Sequence, residues 1–199
     1  MDCEIKRLKD LNDKVTMNSG VYLKPNPSGV YNYLNAKNFD SYGNIKEEYY
    51  NSTSKVELVG RNIDHSLKDG DLLLVAKGDR NKVCYYSTEK IGKAVASSTF
   101  IVLRCDQNII KSKFLFWLMN TSLMQNNLSR LAKGTHVKSI SIKVLSELEV
   151  SIPSLQMQEY FIKMHNLVMK ENKMQKELIG LKERYYDNLL IKKLRGHEI

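Results

Sequence analysis

The chain lacks most of what would staple a small fold or hold a metal. Its three cysteines, Cys3, Cys84 and Cys105, are scattered along 199 residues. An odd, widely spaced set makes neither a disulfide framework nor a zinc site, so they are expected to be small buried apolar residues in a reducing compartment. No apolar run approaches the roughly 18 residues of a membrane span. The opening Met1-Asp2-Cys3-Glu4 has no signal-peptide character. A cytoplasmic protein with no membrane association is the expectation. There is no G-x-x-x-x-G-K phosphate loop and no G-x-G-x-x-G after a strand. His65, His136, His165 and His197 have no metal-ligand spacing, and no serine stands in a nucleophile elbow. No cofactor, metal or catalytic residue is therefore expected. Asp69 and Asp71 do pair two carboxylates in a turn, an arrangement that a metal-dependent nuclease could use to hold its metal. No Glu-x-Lys follows at the right distance, and Gly70 between them reads more simply as a turn residue.

A further absence points to a partner. The net charge is +9, and no acidic residue lies between Asp106 and Glu147. The same stretch carries Lys111, Lys113, Arg130, Lys133, Lys138 and Lys143, with His136. Charge of one sign sustained so far suggests an anionic partner, of which nucleic acid is the commonest, although a lysine-rich surface is the plainer alternative. Two loops concentrate it. Lys77, Arg80 and Lys82 lie on a tight turn between two expected strands, where Arg80 has the shape for guanine and Asn81 for adenine. Lys133-Gly134-Thr135-His136-Val137-Lys138-Ser139 forms a second basic loop after a helix. Arg130, Lys133 and Lys138 supply charge there, and Thr135, His136 and Ser139 polar contacts to phosphate. Either loop read alone is also compatible with a solvated turn.

Periodicity outlines an α+β chain. Residues 1–20 fit either a short helix or a strand and turn. Extended segments are expected at Val21–Leu23, Val30–Leu34, Val56–Val59, Leu72–Ala76, Val83–Tyr86, Ala94–Ala96 and Thr99–Cys105. Leu72–Ala76 is continuously apolar, as in a strand buried on both faces. The period then changes. A mostly buried helix is expected over Ser112–Met119, then an amphipathic one through Leu123, Met124, Leu128 and Leu131, ended by Gly134. The chain should divide into a globular mixed domain, 1–153, and a long coiled-coil helix, 154–199. Pro153 bars helix, Ser154 is a good N-cap, and the helix should run to about Lys193. Its apolar stripe is Phe161, Met164, Val168, Met174, Leu178, Leu181, Tyr185 and Leu189, with a register break at Lys170–Lys173. About 40 residues make a rod of roughly 60 Å. A stripe that long favours pairing with another helix over folding back onto its own domain.

Taken in order, these motifs resemble the specificity subunit of type I restriction–modification systems, with one target recognition domain followed by one conserved helical region. The resemblance rests on four landmarks. Tyr31-x-Tyr33-Leu34-x-Ala36-x-Asn38-Phe39 comes first, then Gly70-Asp71-Leu72-Leu73 with Lys77-Gly78. Gly134-Thr135-x-Val137-Lys138-Ser139-Ile140 with Leu145 and Leu148 is the third. Val150-Ser151-Ile152-Pro153-Ser154-Leu155-x-x-Gln158 is the fourth, opening the long helix. The resemblance covers essentially the whole chain. It implies a non-catalytic subunit that binds double-stranded DNA and directs a DNA methyltransferase (modification) subunit, and a restriction/translocase subunit, to a bipartite target. The family usually carries two recognition domains and two helical regions, and this chain has one of each. A homodimer through the long helix is then implied. The rival readings are a free-standing or phage-borne DNA-binding regulator, which the gene neighbourhood would separate, and a coiled-coil adaptor, which salt-sensitive DNA binding would exclude.

Overall fold

A computed structural model of the chain describes residues 4–11, 13–50, 53–78, 81–132 and 139–196. It divides into two compact units, Met1–Glu159 and Tyr160–Ile199. The first opens with β1 (Glu4–Arg7), a 3-10 turn and β2 (Val15–Ser19), then β3 (Tyr31–Leu34), β4 (Lys55–Val56) and β5 (Leu72–Val75). β6 (Val83–Tyr85), the single-turn helix α1 (Thr88–Ile91), β7 (Ala94–Ala96) and β8 (Phe100–Cys105) follow. Helices α2 (Ser112–Met119) and α3 (Ser122–Leu131), the short α4 (Ile142–Leu145) and β9 (Glu149–Ile152) complete it, before α5 (Leu155–Leu194) begins.

Among the described residues the central sheet has the order β2-β8-β5-β6 and is antiparallel throughout. Its two inner strands are buried on both faces. Leu72, Leu74, Ile101 and Leu103 join a core with Leu115, Met119, Met124 and Leu128 from α2 and α3. Leu73, Val75, Phe100 and Val102 face the other way, into a core with Leu34, Phe39 and Tyr86. Alternate side chains of one strand thus feed two cores, which is why β5 and β8 read as unbroken apolar runs. A second sheet, β4-β3-β7, combines antiparallel and parallel pairing. Cys84 and Cys105 are buried free thiols, as expected of small apolar residues. Cys3 lies outside the described residues.

Several local expectations change. Val21–Leu23 is not a strand; only Val21 bridges, to Ser97. The segment before Pro153 contains β9, which pairs antiparallel with β1, Glu4 opposite Ile152. The first residues are therefore strand, because their partner lies at the far end of the unit. α3 ends at Leu131 with Ala132 as its cap, ahead of Gly134, which lies outside the described residues. α5 is one continuous helix of 40 residues, as expected, and the polar residues Lys170–Lys173 interrupt its apolar stripe but not its backbone.

The turn before β5 and the start of α5 explain two of the sequence landmarks. Gly70 has φ +82°, a left-handed conformation that a Cβ would strain. Asp71 beside it is buried, and its carboxylate accepts from the Lys68 backbone N–H and from Arg104. Asp69 accepts from the Thr88 N–H and so caps α1. At the start of α5, Ser154 Oγ accepts from the Met157 N–H. Gln158 is fully buried: its Oε1 accepts from the Lys111 N–H at 2.8 Å, and its Nε2 donates to the carbonyls of Ile109 at 3.0 Å and Pro153 at 2.9 Å. The glutamine that closes the fourth landmark thereby ties the root of α5 to the segment entering α2.

Candidate nucleic-acid interface

The hairpin turn between β5 and β6 begins at Ala76. Its N–H donates to the Thr99 carbonyl and its carbonyl accepts from the Ile140 N–H, both at 2.8 Å. The next residue, Lys77, forms an antiparallel bridge with Ser139. The end of the second basic loop is thus hydrogen-bonded to the start of the first. The two share about 60 residues of sequence separation and one edge of the fold. Lys77 and Ser139 are both exposed there.

Arg130 is also exposed, in the last turn of α3, where a cation complements the helix dipole. Thr121 opens that helix, its Oγ1 accepting from the Met124 N–H. Neither Lys77 nor Arg130 forms an ion pair among the described residues. Arg130 lies in the stretch 107–146, which contains no carboxylate.

Two residues expected to face DNA are hydrogen-bonded within the fold. Asn81 is 3 % exposed and its Nδ2 donates to the Val75 carbonyl at 3.0 Å, so it closes the turn from inside. Lys82 turns its Nζ onto the carbonyls of Phe39 and Asp40, at 3.1 and 2.5 Å, and latches the turn to that loop. Asn81 satisfies a carbonyl at the base of its own hairpin and Lys82 two carbonyls of a remote loop, so both are occupied within the fold. Arg80, Lys133, Thr135, His136 and Lys138 lie outside the described residues.

The turn has further supports that residue type alone did not reveal. Asn120, at the end of α2, accepts from the Val83 N–H through Oδ1 at 3.1 Å and donates to the Val83 carbonyl through Nδ2 at 2.9 Å. Gln125 on α3 donates through Nε2 to the carbonyls of Asn81 at 3.1 Å and Met119 at 2.8 Å. Gly43, with φ +81°, approaches so closely that a Cβ there would sit 2.2 Å from the Val83 carbonyl oxygen. Amides at helix ends are the signal for such contacts, but their partners are remote in sequence.

The second unit presents a separate surface. Along α5, Tyr160, Met164, Leu167, Glu171, Met174, Leu178, Leu181 and Tyr185 fall at alternating four- and three-residue steps, with the charged Glu171 in the slot at the expected polar break. Leu167 is 61 % exposed and Leu178 52 %, so the seam is uncovered in this chain. Phe161 and Val168, also expected on the stripe, each lie one position past one of these residues, Leu189 lies four past Tyr185, and Val168 is exposed like Leu167. Met164, Met174, Leu181 and Tyr185, expected on the stripe, are exposed.

Among the described residues no group of three His, Cys, Asp or Glu side chains converges on a metal site, and no helix is long and apolar enough to cross a membrane. The model of the type I restriction modification DNA specificity domain matches residues 1–179. No curated protein matches the chain. Its fold is similar to that of the S subunit of a Type-I restriction-modification system from M. genitalium, with 15 % identity and a TM-score of 0.58, over 96 % of this chain and 46 % of that one. It is similar to the HsdS subunit from Thermoanaerobacter tengcongensis, with 15 % identity and a TM-score of 0.64, over 94 % of this chain and 47 % of that one. A chain from a structure described as showing complex assembly and conformational transition of the type I R-M system gives 15 % identity and a TM-score of 0.67, over 98 % and 46 %. This chain thus spans a little under half the length of each. With a match running from the first strand well into the long helix, the chain belongs to the type I restriction modification DNA specificity domain family.

Proposed function

We propose that this chain is a DNA-reading specificity subunit that directs a partner methyltransferase, and a restriction subunit with it, to a bipartite double-stranded target. The observation that carries the reading is the bridge between Lys77 and Ser139, which unites two basic loops on one edge of the globular unit. Phosphate contacts from Lys77, Arg130 and Lys133 would set register, and Arg80 would read a base edge in the major groove. The chain would carry no chemistry of its own, and methylation and cleavage would belong to its partners in the cytoplasm. Family membership and the acid-free stretch support this over a coiled-coil adaptor.

The uncovered seam of α5 supports a second part of the reading, pairing of two copies. Closed two-fold dimers are the commonest homo-oligomers. Two identical readers related by such an axis read inverted copies of one half-site. The target would then be a split palindrome.

Selection from a random duplex pool by the full chain, repeated across a salt series, tests the reading. Enrichment of one motif, with binding that weakens steeply as salt rises, is expected. Binding that ignores salt, or a pool left unenriched, would overturn it.

A further inference from the structure

Among the described residues β6 is an edge strand, so its outward N–H and C=O groups have no neighbouring strand to pair with. Asn120 fills that place at Val83. Its amide offers one acceptor and one donor to the Val83 N–H and carbonyl, as a neighbouring strand would. Two residues earlier, Gln125 takes the Asn81 carbonyl, while the other hydrogen of its Nε2 is anchored on Met119. The corner between α2 and α3 therefore grips both ends of the segment from Asn81 to Val83. On its opposite leg, the turn is fixed by the Ala76 and Lys77 contacts with Ile140 and Ser139.

We infer that Asn120 and Gln125 are positioning residues for DNA sequence selectivity: they fix the leg Asn81–Val83, and with it the orientation of the basic turn. The inference rests on the DNA-reading role proposed above and names the residues that make it selective. The physical ground is a difference in tolerance. A lysine on a flexible stem meets a phosphate over a range of backbone positions, and that contact carries no sequence information. A bidentate contact to a base edge needs its backbone held to about half an ångström. Loosening the leg should therefore degrade selective binding while sparing general binding.

Gln125→Met tests this, because it keeps the length and packing of the side chain and removes the donor to Asn81. Hydrogen exchange on peptides covering residues 76–83 is expected to speed up in the variant. In duplex selection the variant is expected to enrich a motif with at least one position relaxed. Its affinity for the wild-type motif is expected to fall about tenfold, the scale of one base contact, with affinity for random duplex and the salt slope unchanged. Val56→Ala, a core change in β4 that lowers the melting temperature, controls for general loss of stability and should leave the enriched motif intact. Equal motifs and affinities for wild type and Gln125→Met would overturn the inference, as would unchanged exchange over 76–83. A wild-type chain that enriches no motif overturns the DNA-reading role itself, and the inference falls with it. The two failures are thus told apart by the wild-type result.

Discussion

Arg104 and Asp71 form a two-pronged ion pair: Nε donates to Oδ1 at 2.8 Å and Nη2 to Oδ2 at 2.7 Å. Asp71 is 1 % exposed, so the carboxylate that precedes β5 is neutralised by a guanidinium from the adjacent β8. The aspartate holds the Arg104 pKa above its ordinary value. Planar fork against planar carboxylate is a geometry lysine cannot copy. Arg104→Met would leave a buried charge unpaired. A loss near the low end of roughly 3–5 kcal/mol is expected, because Arg104 is a third exposed and water reaches the site. Asp71→Asn should cost less, since an amide oxygen still accepts from Lys68. Denaturant unfolding of both variants checks the order; a larger loss for Asp71→Asn would contradict it.

Gln158→Leu is expected to destabilise the globular unit by about 1–3 kcal/mol. The substitution preserves apolar volume but strands the Lys111 N–H and two carbonyls in a buried site. Urea unfolding read by the single tryptophan, Trp117 in α2, reports it.

Lys77→Ala and Arg130→Ala are expected to weaken binding to all duplexes alike. Each should flatten the slope of log affinity against log salt by about one unit. Fluorescence anisotropy on a fixed random duplex between low and moderate salt is the measurement. An unchanged slope would remove that residue from the phosphate-contacting set.

The double variant Leu178→Asp, Leu181→Asp is expected to be monomeric where the unaltered chain dimerises. Each substitution would bury a charge at the helix seam without a partner. The monomer should keep half-site binding but lose the avidity of two linked readers. Analytical sedimentation decides it; a monomeric unaltered chain, free and with a methyltransferase subunit, would dismiss the pairing.

Burial pushes the Cys84 thiol up to about 12 and the Cys105 thiol to about 11, from an ordinary 9.0. Ionisation is thus disfavoured in the folded state, while the unfolded chain releases these protons near pH 9. Stability should be unaffected by these groups below pH 9 and should fall progressively as pH rises from there toward 11–12. At pH 8 neither thiol should react with an alkylating reagent unless the chain is unfolded, as peptide mass spectrometry would show.

Local chemistry determined what could be read along the chain. The spacing of Met164, Met174, Leu178, Leu181 and Tyr185 marks α5 because helix period is a nearest-neighbour property, and Ser154 starts it for the same reason. Leu72–Val75 is a buried strand because four apolar residues in a row exclude an exposed face. Gly70 marks its turn because few other residues take a positive φ. The acid-free stretch places charge without any knowledge of the fold. Tertiary structure decided what depends on partners. β1 is a strand because β9 pairs with it from nearly 150 residues away, and no local window contains both. Asn81 and Lys82 look like readers beside Arg80, yet Asn81 is claimed by the Val75 carbonyl and Lys82 by the remote carbonyls of Phe39 and Asp40. Asn120, Gln125 and Gln158 look like surface amides until remote backbone groups come within reach. The meeting of Lys77 with Ser139 is of the same kind: a single bridge, formed only once β5 and the segment after α3 are packed side by side, brings the start of one basic loop to the end of the other.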